Sequence, residues 1–250
     1  MYGLYAIIMI FAHPLYIYPF GDDPFTDPAF TAVEHGETNV HLQVSDGAPG
    51  APAILYFMGN GGSLAYFGAS LRAHTDADRT VVAMEYPGGG GIPGSPSEAL
   101  LKAQALDAYD WLSEQHDGQV VVQGYSLGTG LAQYVAANRD VDGVILTAPY
   151  ARLCSLMTRA SWLPACYLPG VQRWDSLALV DNIEAPVLVM HGTDDDLIPI
   201  TEGKRLVRAM QSAGIDVTFT SIDNANHHNV TSQREYAAQI SDFLSTLTAD

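Results

Sequence analysis

In this 250-residue chain the stretch best suited to covalent chemistry is Gly124-Tyr125-Ser126-Leu127-Gly128. A serine hydroxyl is a weak nucleophile and needs a base to take its proton. The five residues follow an apolar run at 119–123 and open a helix-length segment at 127–138. A strand-to-helix turn that lifts Ser126 above a sheet crowds its neighbours, so small residues are required two before and two after it; Gly124 and Gly128 supply them. The helix that follows aims its first amides at the same point, which makes the backbone N–H of Leu127 a candidate donor to a developing oxyanion. Candidate acids and bases lie further along. Asp194, Asp195 and Asp196 follow an apolar run at 186–191, and the adjacent His227 and His228 follow another at 216–221. One carboxylate at such a strand end must be buried against an imidazole for a relay to form. Spacing alone leaves three aspartates and two histidines open. The other six histidines are scattered and read as surface or packing residues.

The elements that must hold these residues recur as a short apolar run, a Gly- or Ser-rich turn and a helical stretch. Runs at 53–58, 80–85, 119–123, 143–147, 186–191 and 216–221 are mostly apolar on both faces, as strands of a parallel sheet covered by helices must be. Helical patterns at 97–115, 127–138, 201–213 and 231–247 alternate with them, the first opening on Ser97 as N-cap. The fold class is α/β, with a mostly parallel central sheet flanked by helices. Residues 149–181, rich in Trp, Leu, Pro and Arg, break the alternation and read as a short lid-like insertion.

Eleven basic against 28 acidic residues give a formal charge of −17, which excludes a nucleic-acid partner and disfavours anionic membranes. Residues 1–20 stand apart from the body at 21–250. They contain no Lys, Arg, Asp or Glu, and as a helix they nearly match a bilayer core of about 30 Å. Two readings stand: a membrane anchor with the catalytic body outside the cytoplasm, or a strand or arm packed on the body of a cytoplasmic protein. Pro14, Pro19, His13 and the lack of a basic flank weigh against a span. Cys154 and Cys166 lie in no metal-binding pattern and read as two free buried thiols, paired only in an oxidising compartment.

Four stretches resemble the α/β-hydrolase superfamily, specifically the small abhydrolase-domain branch of depalmitoylating thioesterases and serine-aminopeptidase-like proteins. They are LYFMGNGG at 55–62, EYPGGGGIPGSPSE at 85–98, GYSLG at 124–128 and APVLVMHGTDDDLIP at 185–199. The resemblance covers most of residues 50–248. It departs at Gly89 and Ile92 in the second stretch and at Met58, where the branch carries histidine. It implies an α/β-hydrolase fold and a catalytic triad of Ser126, His227 and Asp195, with the Asn60 backbone N–H as second oxyanion donor. It further implies hydrolysis of a small-molecule carboxylic ester or thioester through an acyl-enzyme, with no metal and no cofactor. Trp162, Leu163, Pro164, Tyr167, Leu168 and Trp174 are candidate walls of an acyl pocket, or else pack the insertion down. The alternatives are an aminopeptidase or dipeptidyl-peptidase-like serine peptidase and a catalytically silent binding module.

Overall fold

The computed structural model describes residues 2–247, so Met1 of the N-terminal segment and residues 248–250 of the body lie outside the described residues. The strands are β1 (Thr31–His35), β2 (Val40–Ser45), β3 (Ala53–Phe57), β4 (Thr80–Glu85), β5 (Val120–Tyr125), β6 (Gly143–Thr147), β7 (Val187–Gly192) and β8 (Val217–Ile222). They form one sheet in the order β1-β2-β4-β3-β5-β6-β7-β8. The β1–β2 and β2–β4 pairings are antiparallel, and all those from β4 to β8 are parallel. This is the mostly parallel sheet the apolar runs predict. Strands β3, β5, β6 and β7 are buried at every position, which is why their sequences are apolar without alternation.

The helices are α1 (Tyr2–Ile17), α2 (Gly68–Thr75), α3 (Glu98–Gln115), α4 (Gly128–Ala136), α5 (Leu153–Ser161), α6 (Ile200–Ser212) and α7 (Arg234–Leu247). Helices α3 and α4 pack together over the sheet, joined to α6 through a 3-10 segment at Ser176–Asn182; α2 and α7 pack against each other. Helix α3 starts where Ser97 Oγ accepts from the Leu100 N–H, and buries Leu101, Ala105, Ala108 and Leu112 at helical spacing.

The N-terminal segment is a helix of 16 residues, and among the described residues no helix is long and apolar enough to cross a membrane. Helix α1 stops at Ile17, before Pro19. It runs through Pro14 because His13 replaces the missing backbone donor, with its Nδ1 2.8 Å from the Ile10 carbonyl. His13 Nε2 then accepts from the Gln172 N–H at 3.1 Å, and the Tyr18 hydroxyl donates to Gln172 Oε1, so α1 is clamped to the insertion.

The insertion holds α5, a 3-10 turn at Ala165–Tyr167 and a return past Trp174. The free-thiol expectation is overturned here: Cys154 and Cys166 form a disulfide with Cα atoms 5.0 Å apart, because the chain folds back on α5 and brings both sulfurs to its inner side. Glu98, at the start of α3, anchors the base of the insertion. Its Oε2 accepts from the N–H groups of Arg173 (2.9 Å) and Trp174 (3.2 Å), while Oε1 pairs with Lys102 at 2.7 Å.

Candidate active site

Ser126 sits one residue past β5 with φ +51°, a left-handed conformation that costs a non-glycine residue free energy and turns the chain sharply into α4. Its N–H donates to the Thr147 carbonyl at 2.9 Å, and its own carbonyl accepts from the Thr129 side chain at 2.6 Å. The glycines on either side are required by contact. A Cβ on Gly124 would lie 2.3 Å from the Gly128 carbonyl oxygen, and one on Gly128 would lie 2.1 Å from that of Phe57. The turn thus brings the start of α4 against the end of β3, where the candidate oxyanion loop begins.

Two further loops reach the serine from the ends of β7 and β8. His227 Nε2 lies 2.9 Å from Ser126 Oγ, and its Nδ1 lies 2.7 Å from Asp195 Oδ2. All three are nearly inaccessible, at 5, 3 and 6% exposure for Ser126, His227 and Asp195. Asp194 and Asp196 are exposed, as is His228, whose N–H is taken by Asn226 Oδ1 at 2.9 Å. The structure thus brings Asp195 and His227 into one hydrogen-bonded row with Ser126 and leaves Asp194, Asp196 and His228 at the surface.

Asp195 is held tightly. Its Oδ1 accepts from the N–H groups of Leu197 (3.1 Å) and Ile198 (2.8 Å), and its Oδ2 also faces His191 Nε2 at 3.4 Å. Burial by itself pushes the carboxyl up, but hydrogen bonds from His191 and His227, the charge of His227 and the Ile198 N–H outweigh it and hold Asp195 well below the usual carboxylate range. His191 is fully buried, and its Nε2 is also 2.8 Å from the Ile198 carbonyl. This second imidazole on the acid escapes sequence reading, although it stands four residues before Asp195. The Tyr125 hydroxyl, inside the serine motif, donates to the His227 carbonyl and ties the base loop to the nucleophile strand.

Asn60 and Leu127 line one cavity with Ser126. The Asn60 loop is fixed by the Tyr86 hydroxyl, which donates to the Met58 carbonyl at 2.8 Å, so the loop holds its shape with methionine in place of histidine. The cavity, of about 320 Å³, is walled by Leu15, Tyr16, Ile17 and Pro19 from the N-terminal segment, Leu153 and Leu156 from α5, and Leu197 and Ile198 beside the acid. Among the described residues no charged side chain lines it. The six insertion residues read as candidate pocket walls or as packing residues are absent from its lining. Leu163 and Trp174 are buried, the Trp174 indole N–H donating to the Tyr18 hydroxyl at 3.2 Å, while Trp162 and Tyr167 point outward at 89 and 85% exposure. Among the described residues no cluster of His, Cys, Asp or Glu is arranged to hold a metal ion.

The chain is 28% identical to lysophosphatidylserine lipase ABHD12 of Danio rerio over 227 residues, covering 77% of this chain and 58% of the lipase. An uncharacterized protein of Mycobacterium tuberculosis is 34% identical over 162 residues, covering 63% of this chain and 57% of its own. The chain thus spans less than two thirds of the length of either relative. In three dimensions it superposes on esterase Pf2001 of Pyrococcus furiosus with a TM-score of 0.72 and 15% identity, covering 93% of this chain and 99% of the esterase, which establishes a shared α/β-hydrolase fold. The sequence profile of the prolyl oligopeptidase family matches residues 103–250, more than half of the chain and the part that carries Ser126, Asp195 and His227. The chain therefore belongs to the prolyl oligopeptidase family, within the α/β-hydrolase superfamily.

Proposed function

We propose that the protein is a serine hydrolase that cleaves carboxylic ester or thioester bonds of substrates with an apolar acyl group. The observation that carries this reading is the hydrogen-bonded relay from Ser126 through His227 to Asp195, opening on an apolar cavity. Ser126 Oγ attacks the carbonyl carbon as His227 Nε2 takes its proton. The oxyanion is bound by the backbone N–H groups of Leu127 and Asn60. His227 passes the proton to the leaving alcohol or thiol, which departs to leave an acyl-Ser126 ester. Water, deprotonated by His227, then attacks the acyl carbon; the acid leaves and Ser126 regains its proton. Asp195 orients the imidazole and offsets its positive charge while it carries the proton.

The ester hydrolysis named in the lipase and esterase relatives favours esters over amides. A peptidase acting on free amino termini needs a carboxylate or aromatic subsite to meet the ammonium group; among the described residues the cavity lining offers Tyr16 and no carboxylate, so cleavage of aminoacyl amides is the discriminating assay. The test is hydrolysis of p-nitrophenyl esters from acetyl to long acyl chains by the full chain and by Ser126→Ala. Turnover falls about 10⁴-fold or more in the variant if Ser126 is the nucleophile. Turnover that survives the substitution refutes the assignment. Faster cleavage of aminoacyl amides supports the peptidase alternative, and failure to label with a fluorophosphonate supports a silent module.

A further inference from the structure

Helix α1 is apolar on two opposite faces, and only one of them is used by the body. At 100° per residue, Met9, Ile10, His13 and Ile17 fall on the side packed against the insertion and core. Leu4, Ile8, Phe11 and Leu15 fall within an arc of about 60° on the other side. They are exposed by 65, 52, 79 and 77%. Tyr5, Ile7 and Tyr16 flank this stripe and are about half exposed. A row of this length facing water on a clamped helix is the mark of an interaction surface rather than of scattered surface apolar residues.

Three observations identify what it meets. The stripe runs into the catalytic cavity: Leu15 and Tyr16 belong to both, and Leu197, 48% exposed, forms the opposite rim beside Asp195. Tyr16 also borders a second apolar groove of about 300 Å³ between α1 and α5, lined by Ile8, Met9 and Met157. Exposed Trp162 closes the end of α5, an amphipathic ring suited to a headgroup boundary. Finally, residues 2–21 carry no Lys, Arg, Asp or Glu, Arg159 is the one charged residue of α5, and the chain as a whole carries −17. A basic peptide would need acidic residues on this face and an anionic bilayer basic ones, and residues 2–21 carry neither.

We infer that α1 lies in the plane of a zwitterionic lipid surface, with its Leu4-Ile8-Phe11-Leu15 stripe seated among the acyl chains and the mouth of the Ser126 cavity held against that surface. An acyl chain then passes from the lipid layer along Leu15 and Tyr16 to the serine without crossing water. The clamp of His13 and Tyr18 on Gln172 makes the helix part of the catalytic body, so docking orients the cavity as well as tethering it. Delivery of substrate rests on the proposed ester hydrolysis; docking does not.

The test is flotation of the full chain with phosphatidylcholine vesicles, comparing it with Leu4→Asp/Phe11→Asp and with the milder Leu4→Ser/Phe11→Ser. Neither side chain lines the Ser126 cavity. The chain is expected to float, independently of salt, and the aspartate pair to lose binding at least tenfold. Hydrolysis of p-nitrophenyl acetate in solution stays unchanged, while hydrolysis of a long-chain ester carried in the vesicles falls in step with binding. Ser126→Ala is expected to float like the parent; if it floats but the parent hydrolyses no ester, the docking stands and the proposed activity fails. The inference is overturned if the parent does not float, or if both double variants float equally well. It is also overturned if binding requires anionic lipid and is lost in salt, or if the double variants abolish a dimer of a chain that binds no vesicles.

Discussion

Replacing Asp195 by Asn changes one atom of the relay and reverses a hydrogen bond. Asn can still accept from the Leu197 and Ile198 N–H groups, so the acid loop keeps its shape. Its NH₂ group, however, takes the place of the oxygen that faces His227 Nδ1 at 2.7 Å and His191 Nε2 at 3.4 Å. A donor there requires an unprotonated Nδ1, which puts the proton of neutral His227 on Nε2, the nitrogen that must accept from Ser126 Oγ. The base is then in the wrong tautomer, and the imidazolium that forms during attack has no buried counter-charge. The equivalent change in a serine protease lowers kcat about 10⁴-fold, or about 5 kcal/mol of barrier, and the same magnitude is expected here because Asp195 is as fully enclosed. The assay is kcat for p-nitrophenyl butyrate, with thermal unfolding to establish that the variant folds. Asp194→Asn and Asp196→Asn, at exposed positions, are expected to stay within about twofold of the parent. An Asp195→Asn enzyme retaining a tenth of kcat, or an Asp194→Asn enzyme losing as much as Asp195→Asn, refutes the relay.

The disulfide closes a segment of 12 residues, for which chain entropy gives about 3 kcal/mol; Cys154→Ser should lower the denaturant midpoint, reductant should do the same to the parent, and an unchanged midpoint refutes it. His74 is fully buried, with Nε2 2.6 Å from Gln123 Oε1, and burial, opposed by that hydrogen bond and helped by Arg79, lowers it to about 4. The unfolded chain binds the extra proton near pH 6.5, so this contribution is whole above that value and is lost as pH falls toward 4, by about 3 kcal/mol. Denaturant unfolding at pH 7 and 4.5 should show a smaller drop for His74→Gln than for the parent; equal drops refute the assignment. Gly128→Ala, which drives a Cβ into the Phe57 carbonyl, should cost about 1–3 kcal/mol in denaturant unfolding together with most of kcat, and a variant of parental stability would contradict the close approach.

Much of this architecture is legible in the sequence where a single physical demand acts locally. Strands buried on both faces must be apolar throughout, so β3 to β7 stand out as runs, whereas β8, an edge strand that is largely accessible, is read from its β-branched and aromatic residues. Strand β1 is almost entirely exposed and β2 interleaves His41 and Gln43 with its apolar residues, so neither produces such a run. Helix α2 is only eight residues long and begins on glycine. The serine turn is readable because its crowding forces glycines at fixed offsets. Choosing Asp195 over its neighbours is different: the acidic turn looks alike in sequence, and only the approach of the β8 loop distinguishes the buried carboxylate. The pocket walls and the disulfide depend on how the insertion folds back and where α1 docks, and no local pattern encodes either. His13 is the clearest instance, since in the sequence it reads only as a polar residue weighing against a membrane span, yet it is the residue that carries the helix past Pro14.

The sheet order also governs when the site comes into being during folding. Ser126 and its base are 101 residues apart and meet only after β8 has paired as the edge strand beyond β7. That contact requires β5, β6, β7 and β8 to be joined in register, so it forms only after each of those pairings has met its own loop-closure entropy. Recovery during refolding of the ester hydrolysis proposed for this site is therefore a clock for the docking of that edge strand. It should lag behind the return of α-helical circular dichroism, and the interval between the two signals measures the lifetime of a chain that is already compact and cannot yet cut an ester.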